Sequence, residues 1–89
     1  MVADYTVTDN DYYIGVTNTA ARRSIKLPSA WGRAGRVYVI KDESGQAAAH
    51  PISVGASDAE TIDGERTLTI STNHGVLRVI SSGTSWFSM

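Results

Sequence analysis

Apolar positions in this chain fall into short runs, and each run closes on a turn. Thr67-Leu-Thr-Ile70 alternates strictly, which places Leu68 and Ile70 on one side and Thr67 and Thr69 on the other, the period of a half-buried strand. Ser24-Ile-Lys-Leu27 alternates likewise, with Ile25 and Leu27 inward, and it stops at Pro28, which has no amide proton for a ladder. Residues 4–14 read as two short strands about a turn at Asp9-Asn-Asp11; Tyr5 and Val7 share a face of the first, Tyr12 and Ile14 share a face of the second, and Tyr13 lies opposite. Thr67 to Ser71 and Val76 to Ser81 flank Asn73-His-Gly75 and predict a hairpin. Ser29-Ala-Trp-Gly-Arg-Ala-Gly35 reads as a loop with at most one turn of 3₁₀ helix, and Gly45-Gln-Ala-Ala-Ala-His50, ended by Pro51, reads as a linker.

Two runs break the alternation. Val37-Tyr-Val-Ile40 is apolar on both faces; in the run that follows Gly75, Val76, Arg78 and Ile80 share one face while Leu77 and Val79 share the other. Strands buried on both sides look like this. A chain this short has too few elements to cover both faces of a sheet by itself. The pattern therefore predicts an all-β domain, a small antiparallel β-sandwich or partly open barrel. One face of these strands fills the core, and the other meets further copies of the chain. Val37, Val39, Val76, Arg78 and Ile80 are the candidate interface positions. Arg78 has two readings: an interchain ion pair or a ring of arginines near a symmetry axis, or a stem packed on the sheet with its head in water.

Composition strengthens the expectation of assembly. The 89 residues make one domain over 1–89, with 1–4 and 88–89 expected as loose ends. Such a chain folds to roughly 5,000 Å² of surface from roughly 14,000 Å² unfolded, a marginal degree of burial. Small domains usually add disulfides, a metal or partner subunits. There is no cysteine, and His50 and His74 stand far apart, so subunit association is the support left. The net charge of −1, with basic residues clustered only sparsely at Arg22, Arg23, Lys26, Arg33 and Arg36, points away from nucleic acid and reads as solvated surface or loop. No apolar run is long enough to cross a bilayer, so no membrane insertion is expected. The N-terminus lacks the basic and apolar regions of a signal peptide, which suggests a start in the cytoplasm or a piece of something larger.

Tyr12-Tyr-Ile-Gly-Val16, Arg23-Ser-Ile-Lys-Leu-Pro28, Gly35-Arg-Val-Tyr-Val-Ile-Lys-Asp-Glu-Ser-Gly45, Ile52-Ser-Val54, Glu60-Thr-Ile-Asp-Gly64, Asn73-His-Gly-Val76 and Ser82-Gly-Thr-Ser-Trp86 occur in that order. Together they resemble a module common in tailed-bacteriophage tail fibres and tailspikes, often towards their C-terminal ends. The likeness runs from about residue 5 to 87, and the turns at 41–45 and 60–64 are its most specific parts. The resemblance implies a compact β-sandwich-like virion domain that assembles as a homotrimer and serves attachment to host cell-surface polysaccharide or lipopolysaccharide. It leaves two alternatives open: a purely structural trimerisation or capping unit, and an accessory carbohydrate-binding module of a depolymerase tailspike.

No catalytic motif is present: phosphate-binding glycine loops, His-Glu-x-x-His and the nucleophile-elbow pattern are all missing. Asp42, Glu43, Asp58, Glu60, Asp63 and Glu65 could in principle supply a carboxylate pair for glycoside hydrolysis, but most sit in tight turns, and turn formation alone explains Asp42 and Asp63. The expectation is a non-enzymatic domain with no cofactor and no metal. His74, beside Asn73 at a turn, has no second ligand spaced nearby. For binding, the aromatic residues Trp31, Tyr12, Tyr13 and Trp86 are the candidates, because aromatic faces stack on sugar rings and dominate contact energies. Trp31, between Ala30 and Gly32, is the first of them as a ligand-facing ring; its other reading is a plug at one end of the barrel or sandwich, or a packing residue on a neighbouring chain. Trp86, after a Ser-Gly turn, also suits core closure.

Overall fold

The computed structural model describes residues 5–8, 11–17, 23–57 and 60–89, and no described residue is helical. The strands are β1 (Tyr5–Thr6), β2 (Tyr13–Val16), β3 (Arg23–Lys26), β4 (Val37–Asp42), β5 (Ile52–Gly55), β6 (Thr67–Ile70), β7 (Val76–Ser81) and β8 (Trp86–Ser88). They form two sheets of four, in the orders β1-β3-β5-β6 and β2-β4-β7-β8, here sheet A and sheet B.

The connections explain the pairing. The first four carry the chain from one sheet to the other. Two crossings return it to its sheet in the same direction, so β1, β3 and β5 pair in parallel, as do β2 and β4. The chain then stays within a sheet from β5 to β6 and from β7 to β8, and those pairs are antiparallel, as is β4 with β7. The expected antiparallel sandwich is therefore a mixed one. Parallel neighbours need a long crossover; here the crossover is a strand of the opposite sheet. For the same reason the expected hairpin at 73–75 is an arch: β6 lies in sheet A and β7 in sheet B. The turn expected at Asp9-Asn-Asp11 likewise joins strands of different sheets, although residues 9 and 10 lie outside the described residues.

The two-residue period places the core. Val7, Ile25, Leu27, Ile52, Val54 and Ile70 from sheet A meet Ile14, Val16, Tyr38, Ile40, Val79 and Trp86 from sheet B. Trp86 is 0% exposed, so it closes the core and is removed from the ligand-facing candidates. Its ring lies 5.6 Å from that of Tyr38, centroid to centroid, at 52°. Both polar handles are satisfied, with Trp86 Nε1 donating to the Pro28 carbonyl at 3.2 Å and the Tyr38 hydroxyl to the Thr8 carbonyl at 3.1 Å. Among the described residues no buried side-chain nitrogen or oxygen lacks a partner. The linker at 46–50 forms a single turn, in which His50 N–H donates to the Gln46 carbonyl and Ala47 is buried.

The C-terminal residues are tied in, contrary to the expected loose end. Asp63 and Gly64 both adopt positive φ, 54° and 85°, in a two-residue hairpin closed by reciprocal bonds between Ile62 and Glu65. Asp-Gly suits this turn because aspartate tolerates the left-handed region and glycine meets no steric penalty there. The turn exposes the Asp63 carboxylate, which accepts the backbone N–H of Ser88 at 2.9 Å and its hydroxyl. Met89 N–H donates to the Arg78 carbonyl.

Candidate binding site at one end of the sandwich

Strand direction sorts the connections between two ends. Residues 7, 8, 11, 12, 27–36, 56, 57, 60–66 and 82–85 lie at one end, and 43–51 and 71–75 lie at the other.

At the second end the Asp42 carboxylate is the organising group. It is fully buried and accepts the Ser44 hydroxyl and the backbone N–H groups of Gly45 (3.1 Å), Ala47 (2.9 Å) and His74 (3.0 Å). Burial pushes its pKa up, but the Ser44 hydroxyl and the Ala47, His74 and Gly45 amides outweigh that and hold it below the usual carboxylate range. His74 sits at φ 60° in this arch, and Asn73 accepts the Ala48 N–H at 3.0 Å. Asp42 thus fastens the β4–β5 connection to the β6–β7 arch. Among the described residues no group of three or more His, Asp or Glu side chains is placed to hold a metal.

The first end is built differently. Residues 30–36 make two successive β-turns, closed by Arg33 N–H to the Ala30 carbonyl (3.1 Å) and Arg36 N–H to the Arg33 carbonyl (2.8 Å). Each has glycine at its third position with positive φ, 75° at Gly32 and 84° at Gly35, as a type II turn requires. No helical turn forms here. The loop is anchored from below: Glu60 accepts the Ser29 hydroxyl (2.6 Å) and the Ala30 N–H (2.8 Å), Ser81 donates its hydroxyl to the Ala30 carbonyl (2.8 Å), and Gly35 N–H reaches the Ser81 carbonyl (2.8 Å). Trp31, at the corner of the first turn, is 66% exposed on this fixed base.

Beside the tandem turns lies an open groove of about 530 Å³, lined by Asp11, Tyr12, the 32–36 segment and Val37. Tyr12 is 63% exposed on its wall. Arg33 and Arg36 are half-buried; Arg33 Nη1 donates to the Ser29 carbonyl at 2.8 Å, and the Arg36 guanidinium lies 5.9 Å from the centre of the Tyr38 ring. Asp11 accepts from the Tyr5 hydroxyl (2.7 Å) and from the Thr8 amide (2.9 Å) and hydroxyl (3.1 Å). Burial raises its pKa, but those bonds win and hold it low. A second hollow of about 250 Å³ lies between Tyr5, Asp11 and Tyr13.

Of the four aromatic candidates, Trp31 and Tyr12 thus stand at the same end. Tyr13 follows on the outer face of sheet B, where its hydroxyl donates to Glu43 at 2.6 Å and consequently holds its proton more tightly than a free tyrosine. Arg33 and Arg36, expected as solvated loop or surface, are half-buried here. The residue signal for that placement is the doubled Gly-Arg step at 32–33 and 35–36, which closes two successive turns and sets both arginines along one groove.

The five interface candidates also come together. Val37 faces Ile80, Val39 faces Arg78, and Val76 faces Lys41, all on the outer face of sheet B, with Tyr13 beside Val39 and Phe87 beside Ile80. Val39 is only 9% exposed, covered by its own neighbours, so Val76 at 45% and the half-exposed Tyr13 and Phe87 present more surface. The outer face of sheet A carries Thr6, Ser24, Lys26, Ser53, Thr67 and Thr69 instead.

Among the described residues the acidic side chains do not converge on a cleft. Asp42 and Asp63 are bound up in their turns, Glu60 anchors the loop at 29–30, and Glu43 holds Tyr13; Asp58 and Arg22 lie outside the described residues. No protein-family model matches the chain, and no curated protein matches it in sequence.

Proposed function

We propose that this chain is a non-enzymatic virion module of a tailed-bacteriophage tail fibre or tailspike. It assembles as a homotrimer through the outer face of sheet B and turns the groove end towards host cell-surface polysaccharide or lipopolysaccharide. The observation that carries the reading is the pairing of two features: an exposed aromatic pair, Trp31 and Tyr12, on a tightly anchored end, and an apolar outer face on only one of two sheets. The sequence resemblance supplies the viral setting. A rigid, exposed tryptophan offers a stacking surface with little entropy left to lose. Three copies raise weak single-site affinity by avidity.

The size of the face bounds the assembly. Four strands and six residues span roughly 15 by 20 Å, about 300 Å². A stable interface takes about 800 Å² from each partner. Copies held by this face alone associate weakly, and a durable trimer draws on adjoining chain as well.

The test has two arms. Sedimentation over rising concentration should show mass growing towards three chains. Val76→Asp should weaken that association about tenfold or more, by placing a charge in a desolvated contact, and Thr69→Asp, on sheet A, should leave it unchanged. A single chain at every concentration defeats the assembly half. On a glycan array the chain should retain a subset of bacterial surface sugars; an array without hits defeats the attachment half and leaves a structural module.

A further inference from the structure

We infer that Asp11 accepts a pair of adjacent hydroxyls from a sugar ring, with Tyr12 beside it as the stacking surface. This rests on the reading of that end as the attachment site. Asp11 is the one described residue that lines both hollows: Tyr12 flanks it in the larger, and Tyr5 and Tyr13 flank it in the smaller. Its carboxylate differs from the others in how its oxygens are used. Asp42, Glu60 and Asp63 each accept bonds on both oxygens. Asp11 takes the Tyr5 hydroxyl, the Thr8 amide and the Thr8 hydroxyl all on Oδ2, and among the described residues no donor meets Oδ1.

The group is held in place before any ligand arrives. Asp11 N–H donates to the Thr8 carbonyl at 3.1 Å, and that carbonyl also accepts the Tyr38 hydroxyl from the core. With its backbone and one oxygen fixed, the other oxygen has little freedom left to lose on binding. An ionised carboxylate is an acceptor only, and each of its oxygens offers two lone pairs. Its complement is a ligand group with hydrogen-bond donors, which a ligand carboxylate lacks and a sugar hydroxyl has. Neighbouring ring hydroxyls present two donors close together, which suits the two lone pairs of Oδ1. Bonds to a charged acceptor are roughly twice as strong as neutral ones. Tyr12, well exposed on the groove wall, supplies the flat surface on which the ring stacks, and half-exposed Tyr13 borders the second hollow.

NMR titration of the full chain with methyl mannoside, methyl galactoside and methyl glucoside, each beside its set of monodeoxy forms, tests this. At least one parent glycoside should shift the amide signals of residues 11–13. Two of its monodeoxy forms, at adjacent positions, should bind at least about tenfold more weakly, as loss of a hydrogen bond to a charged group requires. Asp11→Asn should weaken the parent glycoside about tenfold or more. Its amide oxygen can keep the Tyr5 and Thr8 donors, and its NH2 then stands in place of Oδ1 as a donor facing donors. Thermal melting of the variant separates lost binding from lost folding, and the deoxy comparison needs no variant. The inference is overturned if no glycoside shifts these signals, if every deoxy form binds as tightly as its parent, or if Asp11→Asn melts normally and binds normally. Glycan-array hits that Asp11→Asn retains would remove the role of Asp11 while sparing attachment; an array with no hits would remove both.

Discussion

The two ends of the sandwich use the same residue types, carboxylates in Gly- and Ser-rich turns, to opposite effect. At the 42–47 and 71–75 end one buried aspartate collects four donors and joins two connections that are far apart in sequence. At the groove end the carboxylates hold the loops from beneath and the tips remain open: Glu60 fixes residues 29 and 30, and Trp31 projects from them into solvent. A charge placed inside a turn cluster locks it. The same charge placed one layer below a turn stiffens a display surface without covering it.

If the ends differ in this way, the largest stability loss comes from Asp42. Asp42→Ala leaves the amides of Gly45, Ala47 and His74 without their acceptor in a buried site. Unmet buried donors of this kind cost about 1–3 kcal/mol each before relaxation, so a loss of about 3 kcal/mol is expected from denaturant unfolding. The same group gives the fold an acid limit. Its folded pKa lies below the unfolded value of about 3.9, so its stabilisation is complete above that pH and disappears as pH falls through the lower, folded value. Asp11 and Asp63 are shifted in the same direction and add to the acid loss. Unfolding midpoints measured from neutral pH down to pH 2 should stay level and then drop; Asp42→Asn should begin lower and fall less. A variant as stable as the parent would show that the two ends do not differ in kind.

Much of this was legible in the residues, and the missing part has a physical cause. The two-residue period placed Ile25, Leu27, Leu68 and Ile70 inward and Thr67 and Thr69 outward, as found. It also placed Val37, Val39, Val76, Arg78 and Ile80 on one face. Sheet membership was hidden, because Asn73-His-Gly75 reverses the chain equally well as a hairpin or as an arch between sheets. Asp42 reads locally as a turn former, but its bond to His74 spans 32 residues and depends on that arch. The two tryptophans have similar Gly- and Ser-rich surroundings in sequence. What separates them is tertiary: Trp86 sits on the inward parity of β8, and Trp31 occupies the corner of a turn held down by Glu60.

A smaller effect is expected at the groove end. Glu60→Ala removes two bonds from a half-buried carboxylate to Ser29 and Ala30. Hydrogen bonds to charged groups contribute about 1.5–3 kcal/mol when well shielded. Water can reach this site and replace part of them, so about 1–2 kcal/mol is expected. The informative readout is local. Amide exchange at residues 30–36 should quicken while exchange in β4 and β5 stays slow, and sugar binding should weaken although no groove residue has changed. Uniform quickening across the molecule would mean that Glu60 supports the whole fold.

The smallest stability effect belongs to Trp31. Its ring is two-thirds exposed, and its backbone turn is set by Gly32 and by bonds that a substitution does not touch. Trp31→Ala should shift stability by no more than about 0.5 kcal/mol, the range of ordinary surface changes. Its effect on function runs the other way. Loss of a stacking surface should reduce retention on sugar-bearing cells or beads several-fold, since exposed aromatics carry a large share of contact energy. A large fall in melting temperature with unaltered retention would identify Trp31 as a packing residue against another chain. The groove end would then be an assembly surface like the outer face of sheet B, and the distinction between a locked end and a displaying end would fail at its most exposed residue.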